Sequence, residues 1–242
     1  MEFIEFQPVF HTMMSDNALS EYADESKSRK FYTLMTHMLS VNESMNLTAI
    51  KEERAVILRH FVDSLTILSF LPKGARVADI GCGAGFPCLP IAICRPDLQI
   101  LAVDSTEKRI RYVQETAELL GLRNLEARAM RAEEGAHGKY REAFDVCTAR
   151  AVAALPILSE LCMPYVRTGG KFIAMKAKKG EEEYTASLSG IRRLGGEPIA
   201  VHRILLRGEG EEDERLIIEV AKKSPTPGNL PRPYAKICKK PL

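Results

Sequence analysis

The heptapeptide Asp79-Ile80-Gly81-Cys82-Gly83-Ala84-Gly85 is the sharpest motif in the sequence. A short apolar segment, residues 76–80, leads into it as a strand, and residues 87–94 follow it as the first turns of a helix. Glycine permits a tight turn and lets the backbone approach a ligand with no Cβ in the way. A glycine loop between a strand and a helix therefore predicts a ligand site at the edge of a sheet.

Outward from this loop, strand and helix patterns alternate along the chain. The other segments with strand character are residues 98–103, 125–129, 144–148, 171–175, 198–206 and 215–221. Alternation predicts a parallel sheet covered by helices on both faces. Only the acidic turn 208–214 separates the last two strands, so they should pair antiparallel. The predicted fold is α/β: a doubly wound, mostly parallel, seven-stranded sheet with an antiparallel last strand, typical of Rossmann-like class I methyltransferases.

The chain also divides by pattern into three parts. One helix face before the sheet is marked by Phe31, Leu34, Met35, Met38 and Leu39, and residues 51–70 form a second helical stretch. After the fourth strand, residues 153–166 and 181–194 read as helices. We expect a small helical N-terminal cap over residues 1–72, a ligand-binding domain over 73–222 and a tail over 223–242.

The loop spacing limits the ligand. The glycines follow G-x-G-x-G, whereas a dinucleotide fingerprint needs G-x-G-x-x-G, and the required third position holds Phe86. Asp104 ends the second strand, about 20 residues on, where an acid can accept hydrogen bonds from both ribose hydroxyls. Asp79 adds a second acid beside the loop. Two acids suit S-adenosylmethionine, which has a ribose and a cationic amino-acid end but no phosphate, better than they suit NADP.

Two further positions follow strand ends, where open sheets place ligands. Ala132 and Glu133 come after the third strand, and could read an adenine edge or form an ordinary polar loop. Arg150 comes after the fourth strand, and is either a ligand contact or the partner of a nearby acid. Ser105 or Thr106 can cap the helix that follows the second strand.

Composition excludes several classes of protein. The chain has 242 residues, 45% apolar and 27% charged, which is ordinary for a globular protein. No apolar run approaches the roughly 20 residues of a membrane helix, and the acidic N-terminus is unlike a signal peptide. The six cysteines form no CxxC pair and do not cluster with histidines, so we expect no metal site and a reducing cytoplasm.

The charge is uneven although the net charge is only +2. Residues 222–242 hold six of the 34 basic residues and none of the 32 acidic ones. This basic tail is either a solvated terminus or an element that contacts phosphate.

Several segments together resemble a known family. They are DIGCGAGFPCLPIAI (79–93), NLTAI (46–50), RHFVDSL (59–65), VDSTEKR (103–109), TARAVA (148–153) and the terminal KKPL (239–242). In their order and spacing along the chain, these segments are similar to the RsmG (GidB) family of bacterial small-subunit rRNA methyltransferases. The resemblance runs from about residue 30 to the C-terminus. The glycine loop alone would indicate only a class I methyltransferase.

The resemblance implies N7-methylation of one guanine in the decoding-region loop of 16S rRNA, with S-adenosylmethionine as cofactor. The positions that match the family's cofactor contacts are Gly81, Phe86, Ala132, Glu133 and Arg150. Residues 104–106, including Ser105 and Thr106, match its ribose-binding region. Two departures are Cys82, where many members have Thr or Ser, and Phe86, where Leu is frequent. Residues 1–25 have no counterpart.

The chemistry needs no general base, because guanine N7 attacks through a lone pair and loses no proton. Positioning and exclusion of water should supply the catalysis, and an acid or carbonyl would stabilise the cationic purine. Arg150 is the best active-site candidate, for orientation. His60 is expected to be a capping or buried helix histidine rather than a base.

Guanine N7 lies on the major-groove edge, and the major groove of A-form RNA is deep and narrow. The substrate should therefore be a loop guanine or a flipped-out guanine. Phosphate contacts are expected from the tail cations Arg232, Lys236, Lys239 and Lys240, with Tyr234 for stacking. Lys108, Arg109 and Arg111 either widen this patch or form a solvated helix face.

Three other functions stay open at this stage. The first is a class I methyltransferase for a small molecule or a protein, which the basic tail disfavours. The second is a non-enzymatic RNA-binding factor, which the intact glycine loop disfavours. The third is an NAD-dependent dehydrogenase, which the glycine spacing disfavours. We expect a monomer acting on free 16S rRNA or on a 30S particle.

Overall fold

The computed structural model describes residues 1–150, 153–177, 180–208 and 211–242. Its seven strands are β1 Arg76–Ile80, β2 Gln99–Asp104, β3 Leu125–Ala129, β4 Phe144–Arg150, β5 Val166–Ala177, β6 Gly196–Gly208 and β7 Glu211–Lys222. They form one sheet in the order β3-β2-β1-β4-β5-β7-β6. The first five strands pair parallel, and β7 pairs antiparallel with both of its neighbours. The predicted doubly wound, mostly parallel seven-stranded sheet is confirmed.

The helices cover both faces of this sheet. The α-helices are α1 Phe3–Asp16, α2 Glu25–Met45, α3 Glu53–Val56, α4 Asp63–Leu65, α5 Cys88–Cys94, α6 Glu107–Leu119, α7 Ala132–Gly135, α8 Leu155–Cys162, α9 Gly180–Arg193 and α10 Tyr234–Lys239. A π-helix, Ile57–Val62, joins α3 to α4 without a break. Short 3₁₀ turns lie at Ser20–Tyr22, Leu68–Phe70 and Met163–Tyr165.

Alternation along the strands divides the apolar core in two. Val77 of β1 and Ile100 of β2 belong to the core on one face, and the next residues, Ala78 and Leu101, belong to the core on the other. The N-terminal helices share the first of these cores. That side of the sheet is therefore continuous with them, and their residues can reach the edge where the strands end.

The N-terminal residues form a helix that their weak periodicity did not predict. Phe6, Phe10, Met13 and Met14 of α1 are buried. The rings of Phe10 and Phe31 lie 4.9 Å apart, centre to centre. Contact with α2 therefore stabilises a segment whose own sequence, with Pro8 inside the helix, is a poor indicator of helix.

Three predicted boundaries were wrong. β6 extends to Gly208, which pairs with Glu211 of β7, so residues 208 and 211–214 of the predicted acidic turn are strand. Residues 209–210 lie outside the described residues. Cross-strand charges support this extension, as in the pair of Arg203 and Glu214 at 2.9 Å. The helix predicted at 153–166 spans only α8 and a 3₁₀ turn, and β5 begins at residue 166 rather than 171.

Two absences apply to the described residues alone. No helix among them is long and apolar enough to span a membrane. No group of three or more of their His, Cys, Asp and Glu side chains could hold a metal ion.

Candidate active site

A cavity of about 420 Å³ lies at the carboxyl ends of β1, β2 and β4, the edge at which open α/β sheets bind ligands. The residues that line it are Leu47, Thr48, His60, Ile80, Gly81, Cys82, Gly83, Ala84, Phe86, Val103, Asp104, Ser105, Arg109, Met130, Arg131, Ala132, Glu133, Arg150, Leu161 and Tyr234. Most of the predicted cofactor positions are among them. Asp79, Gly85 and Thr106 are not, and lie behind the wall.

The glycine loop forms one wall. Gly81, Gly83 and Gly85 have φ values of +73°, +56° and +87°, a region that L side chains rarely adopt. A Cβ on Gly83 would meet nothing closer than 4.0 Å, whereas one on Gly85 would lie 2.3 Å from the Leu89 side chain. Gly83 thus leaves room at the cavity, and Gly85 permits close packing of the loop on α5.

Asp104 holds the loop from the neighbouring strand. Its Oδ2 accepts the backbone N–H of Gly83 at 3.1 Å, and its Oδ1 accepts that of Thr106 at 2.8 Å. Arg109 lies 3.7 Å from the same carboxylate. Thr106, predicted as a cofactor contact, is the N-cap residue of α6 and supports Asp104 with its backbone.

Asp79 is a buried acid beneath the loop. Its Oδ1 accepts the Thr148 hydroxyl proton at 3.2 Å, and its Oδ2 has no hydrogen-bond partner in the described part of the chain. Burial raises the pKa of Asp79 to about 6, against the lowering effects of the Cys88 and Thr148 side chains. The site therefore carries an incompletely compensated carboxylate, which fits a cationic ligand group.

Arg150, at the end of β4, is held by four groups. Its Nη1 donates to the carbonyl of Arg59 at 3.1 Å and to Oδ2 of Asp63 at 3.0 Å. Its Nη2 lies 3.2 Å from Nδ1 of His60, and the guanidinium carbon lies 5.3 Å from the centre of the Phe86 ring. Arg150 pairs with an acid, as one of its two sequence interpretations expected, and it also lines the cavity, where a ligand contact stays a prediction.

The π-helix brings these partners to Arg150. It carries the Arg59 carbonyl and His60, and Asp63 follows it directly. Such π-turns occur mostly as single-turn insertions in α-helices and are frequent at functional sites. Asp63 is 5% exposed and also accepts Nε of Arg215 at 3.1 Å. Its charge is thereby matched by two guanidinium groups.

His60 is buried as predicted, but it also forms part of the cavity wall, which the sequence did not indicate. Its ring stacks on Phe86 with centres 4.5 Å apart, and its Nε2 lies 2.8 Å from Oγ1 of Thr48. Arg150 can only donate, so Nδ1 of His60 accepts and Nε2 carries the proton. Burial, together with the Arg150 charge, lowers the pKa of His60 to about 3. The imidazole is thus neutral, and both nitrogens are engaged.

The opposite end of the cavity follows β3. Glu133 is 9% exposed, and its carboxylate lies 4.0 Å from Arg131. The Ala132 carbonyl accepts the hydroxyl proton of Tyr165 at 2.8 Å. The carboxylate of Glu133 is the acidic group of this wall. The two ends lie three inter-strand spacings apart in the order β3-β2-β1-β4, roughly 14 Å.

The basic tail is folded against the domain. Arg232 donates Nε and Nη2 to the fully buried carboxylate of Glu160 at 2.8 and 2.6 Å, an intramolecular pair that the sequence did not indicate. Tyr234 then reaches the cavity wall, with the Arg131 guanidinium 5.8 Å from its ring centre. Further along, the tail lysines at 236, 239 and 240 are exposed.

A family model described as rRNA small subunit methyltransferase G (GidB) matches residues 27–208. Proteins named ribosomal RNA small subunit methyltransferase G are similar over most of their length. One from Lactobacillus delbrueckii subsp. bulgaricus is 42% identical over 221 residues, covering 89% of this chain and 92% of the relative. One from Geobacillus sp. is 40% identical over 237 residues, covering 96% and 98%.

Solved structures share the fold at low sequence identity. A putative methyltransferase from Bacillus halodurans matches with a TM-score of 0.52 at 13% identity, over 67% of this chain and 99% of that one. A SAM-dependent O-methyltransferase from Thermotoga maritima matches with a TM-score of 0.50 at 15% identity, over 78% and 72%. These likenesses agree with the predicted Rossmann-like methyltransferase fold.

Proposed function

The chain belongs to the rRNA small subunit methyltransferase G family, and we propose that it methylates N7 of a guanine in a 16S rRNA loop. Family membership makes it a methyltransferase whose cofactor is S-adenosylmethionine. One observation carries the finer proposal. The wall beside the glycine loop contains the Phe86 ring, the neutral imidazole of His60 and the fixed guanidinium of Arg150. His60 is not available as a base.

The donor set fits S-adenosylmethionine, which supplies the electrophilic methyl group when bound. Asp104 and Ser105 would hold the ribose, and Ala132 and Glu133 the adenine. The loop glycines Gly81 and Gly83 would lie against the cofactor, with Phe86 and Arg150 near the methyl group. Asp79 would balance the cationic amino-acid end from beneath, because its carboxylate lacks a full set of partners. Gly85 and Thr106 would act behind this wall, by packing and by support of Asp104.

The residues favour a reaction that moves no proton before methyl transfer. Guanine N7 attacks with its lone pair, so the site needs position and exclusion of water rather than a base. His60 cannot serve as that base near neutral pH, because its pKa is lowered to about 3 and both ring nitrogens are occupied. Arg150 is fixed by Asp63 and the Arg59 carbonyl, which suits it to orienting the reactants.

The cavity is small beside a folded RNA, so the substrate has to offer a single exposed base. We propose that a loop guanine enters alone, as unpaired or flipped-out bases do. The exposed lysines Lys236, Lys239 and Lys240 would contact the RNA backbone, and Lys108, Arg109 and Arg111 of α6 would widen this basic patch. Arg232 would contribute less to phosphate binding, because its guanidinium already pairs with Glu160. Tyr234 would stack on a ligand at the cavity mouth.

Methyl transfer can be tested with radiolabelled S-adenosylmethionine. The purified protein is offered naked 16S rRNA and 30S particles, both from a strain that lacks the homologue. We expect label in one loop guanine, where borohydride and aniline then cleave the chain at N7-methylguanosine. The two substrates also decide between free rRNA and an assembled particle.

A variant and a negative outcome complete this test. Asp104→Ala should abolish both cofactor binding and labelling. Cofactor binding by the unaltered protein without label in either RNA would contradict the rRNA proposal and favour a small-molecule or protein substrate. Gel filtration with light scattering would test the proposed monomer.

A further inference from the structure

The segment 46–50 lies outside the sheet, yet two of its residues reach the cavity, Leu47 and Thr48. The buried side chain of Asn42 fixes its backbone. The Asn42 amide donates to the Thr48 carbonyl at 3.0 Å, and its oxygen accepts the Thr48 N–H at 2.9 Å. Asn42 is 3% exposed, so this clamp is held inside the helical region. The position of the Thr48 side chain is therefore set by the fold.

The Thr48 hydroxyl accepts two hydrogen bonds and still has its own proton to donate. A threonine hydroxyl has two acceptor lone pairs and one proton to donate. Its Oγ1 accepts the N–H of Ile50 at 3.1 Å and the Nε2 proton of His60 at 2.8 Å. Both lone pairs are thus occupied, and no acceptor for the hydroxyl proton is found among the described residues. Arg150 maintains this state, because it fixes which nitrogen of His60 carries the proton.

We propose that Thr48 donates this proton to O6 of the target guanine and thereby selects guanine over adenine. The inference rests on the proposed function. In guanine, O6 is an acceptor beside N7 on the same edge, whereas adenine has an N6 donor there. A hydroxyl that can only donate forms a hydrogen bond with O6 of guanine. Opposite adenine, the same hydroxyl faces a second donor and stays unpaired. Rejection by an unsatisfied polar group is stronger than rejection by shape alone.

The position of Thr48 favours the base over the cofactor. Thr48 contacts His60, which contacts Arg150 at the end of β4. The ribose and adenine candidates, Asp104 and Glu133, belong to β2 and to the segment after β3, on the other side of the glycine loop. A group beside Arg150 therefore meets what enters next to the reacting end of the cofactor.

The test crosses enzyme variants with substrate variants. RNA carrying guanosine, inosine or 2-aminopurine at the target position is methylated by the unaltered protein, Thr48→Val and Thr48→Ser. Inosine keeps O6, and 2-aminopurine lacks it. We expect Thr48→Val to lower kcat/KM about 10- to 100-fold on guanosine and inosine. On 2-aminopurine it should change kcat/KM less than twofold, and Thr48→Ser should restore most of the activity on guanosine.

Binding of S-adenosylmethionine, measured by calorimetry, separates a contact with the base from other roles. It should stay within twofold in Thr48→Val. An equal loss on guanosine and 2-aminopurine, or a tenfold loss of cofactor affinity, would overturn the assignment of Thr48 while leaving the proposed function intact. Absence of guanosine methylation by the unaltered protein would overturn both.

Discussion

Replacement of Asp79 by asparagine is expected to stabilise the cofactor-free protein and to weaken cofactor binding. Asp79 is 1% exposed, and one of its carboxylate oxygens has no hydrogen-bond partner in the described part of the chain. Burial raises its pKa from 3.8 to about 6. At neutral pH the fold therefore holds a carboxylate in a place that favours the protonated form, and the free energy of unfolding is lowered.

The size of this effect follows from the pKa. Raising it from 3.8 to about 6 corresponds to a penalty of about 3 kcal/mol at pH 8, where the folded and unfolded chains are both ionised. The folded chain binds the proton more tightly, so this penalty is absent well below pH 4 and grows until the pH passes the folded-state pKa. At pH 5 it is about half as large. Asparagine carries no charge, so the advantage of Asp79→Asn should roughly double between pH 5 and pH 8.

Urea unfolding of the cofactor-free protein at pH 5 and pH 8 measures this difference. Asp145→Asn is the matched control. Burial alone would raise the pKa of Asp145, but the Arg76 N–H and the Arg167 guanidinium outweigh it, and the pKa is lowered. The control should therefore destabilise the protein by nearly the same amount at pH 5 and pH 8, because both lie above the ordinary Asp pKa of 3.8. The reasoning is refuted if Asp79→Asn is no more stable than the unaltered protein at pH 8, or if its advantage does not grow with pH.

The other predictions concern the cofactor wall, the tail and the pH profile. Asp104→Asn should lower the affinity for S-adenosylmethionine at least tenfold in calorimetry, whereas Asp97→Asn, at a surface turn where the acid pairs with a neighbouring arginine, should leave it within twofold. Glu160→Gln should lower the free energy of unfolding by about 3 kcal/mol, because Arg232 loses its buried partner. If the melting temperature of Glu160→Gln is unchanged, the tail is not held by this pair. With saturating cofactor, whose cationic end would keep Asp79 ionised, kcat should vary less than twofold from pH 5.5 to 8.5, since His60 stays neutral throughout. A tenfold fall towards pH 5.5 would indicate a group that has to lose a proton.

The sheet and the glycine-loop wall of the cavity follow from the sequence alone. The glycine loop, its flanking strand and helix, and Asp104 lie close together along the chain, and each acts through backbone geometry that residue type controls. Gly83 needs its positive φ, and Asp104 ends the strand next to the loop. Such local signals can be read without knowledge of the rest of the fold, because a strand, a tight turn and the start of a helix depend mainly on neighbouring residues.

The wall on which the base would lie depends instead on packing between distant segments of the chain. Thr48, His60 and Arg150 come from a loop, a π-helix and the end of β4, and of these the sequence indicated only Arg150 as a site residue. The proton position on His60, and hence the direction of the Thr48 hydroxyl, depends on a contact with a residue 90 positions further along the chain. The same holds for Arg232, whose charge meets Glu160 only because the tail folds back. Hydrogen-bond partners far apart in the sequence are chosen by packing, and packing is a property of the whole chain.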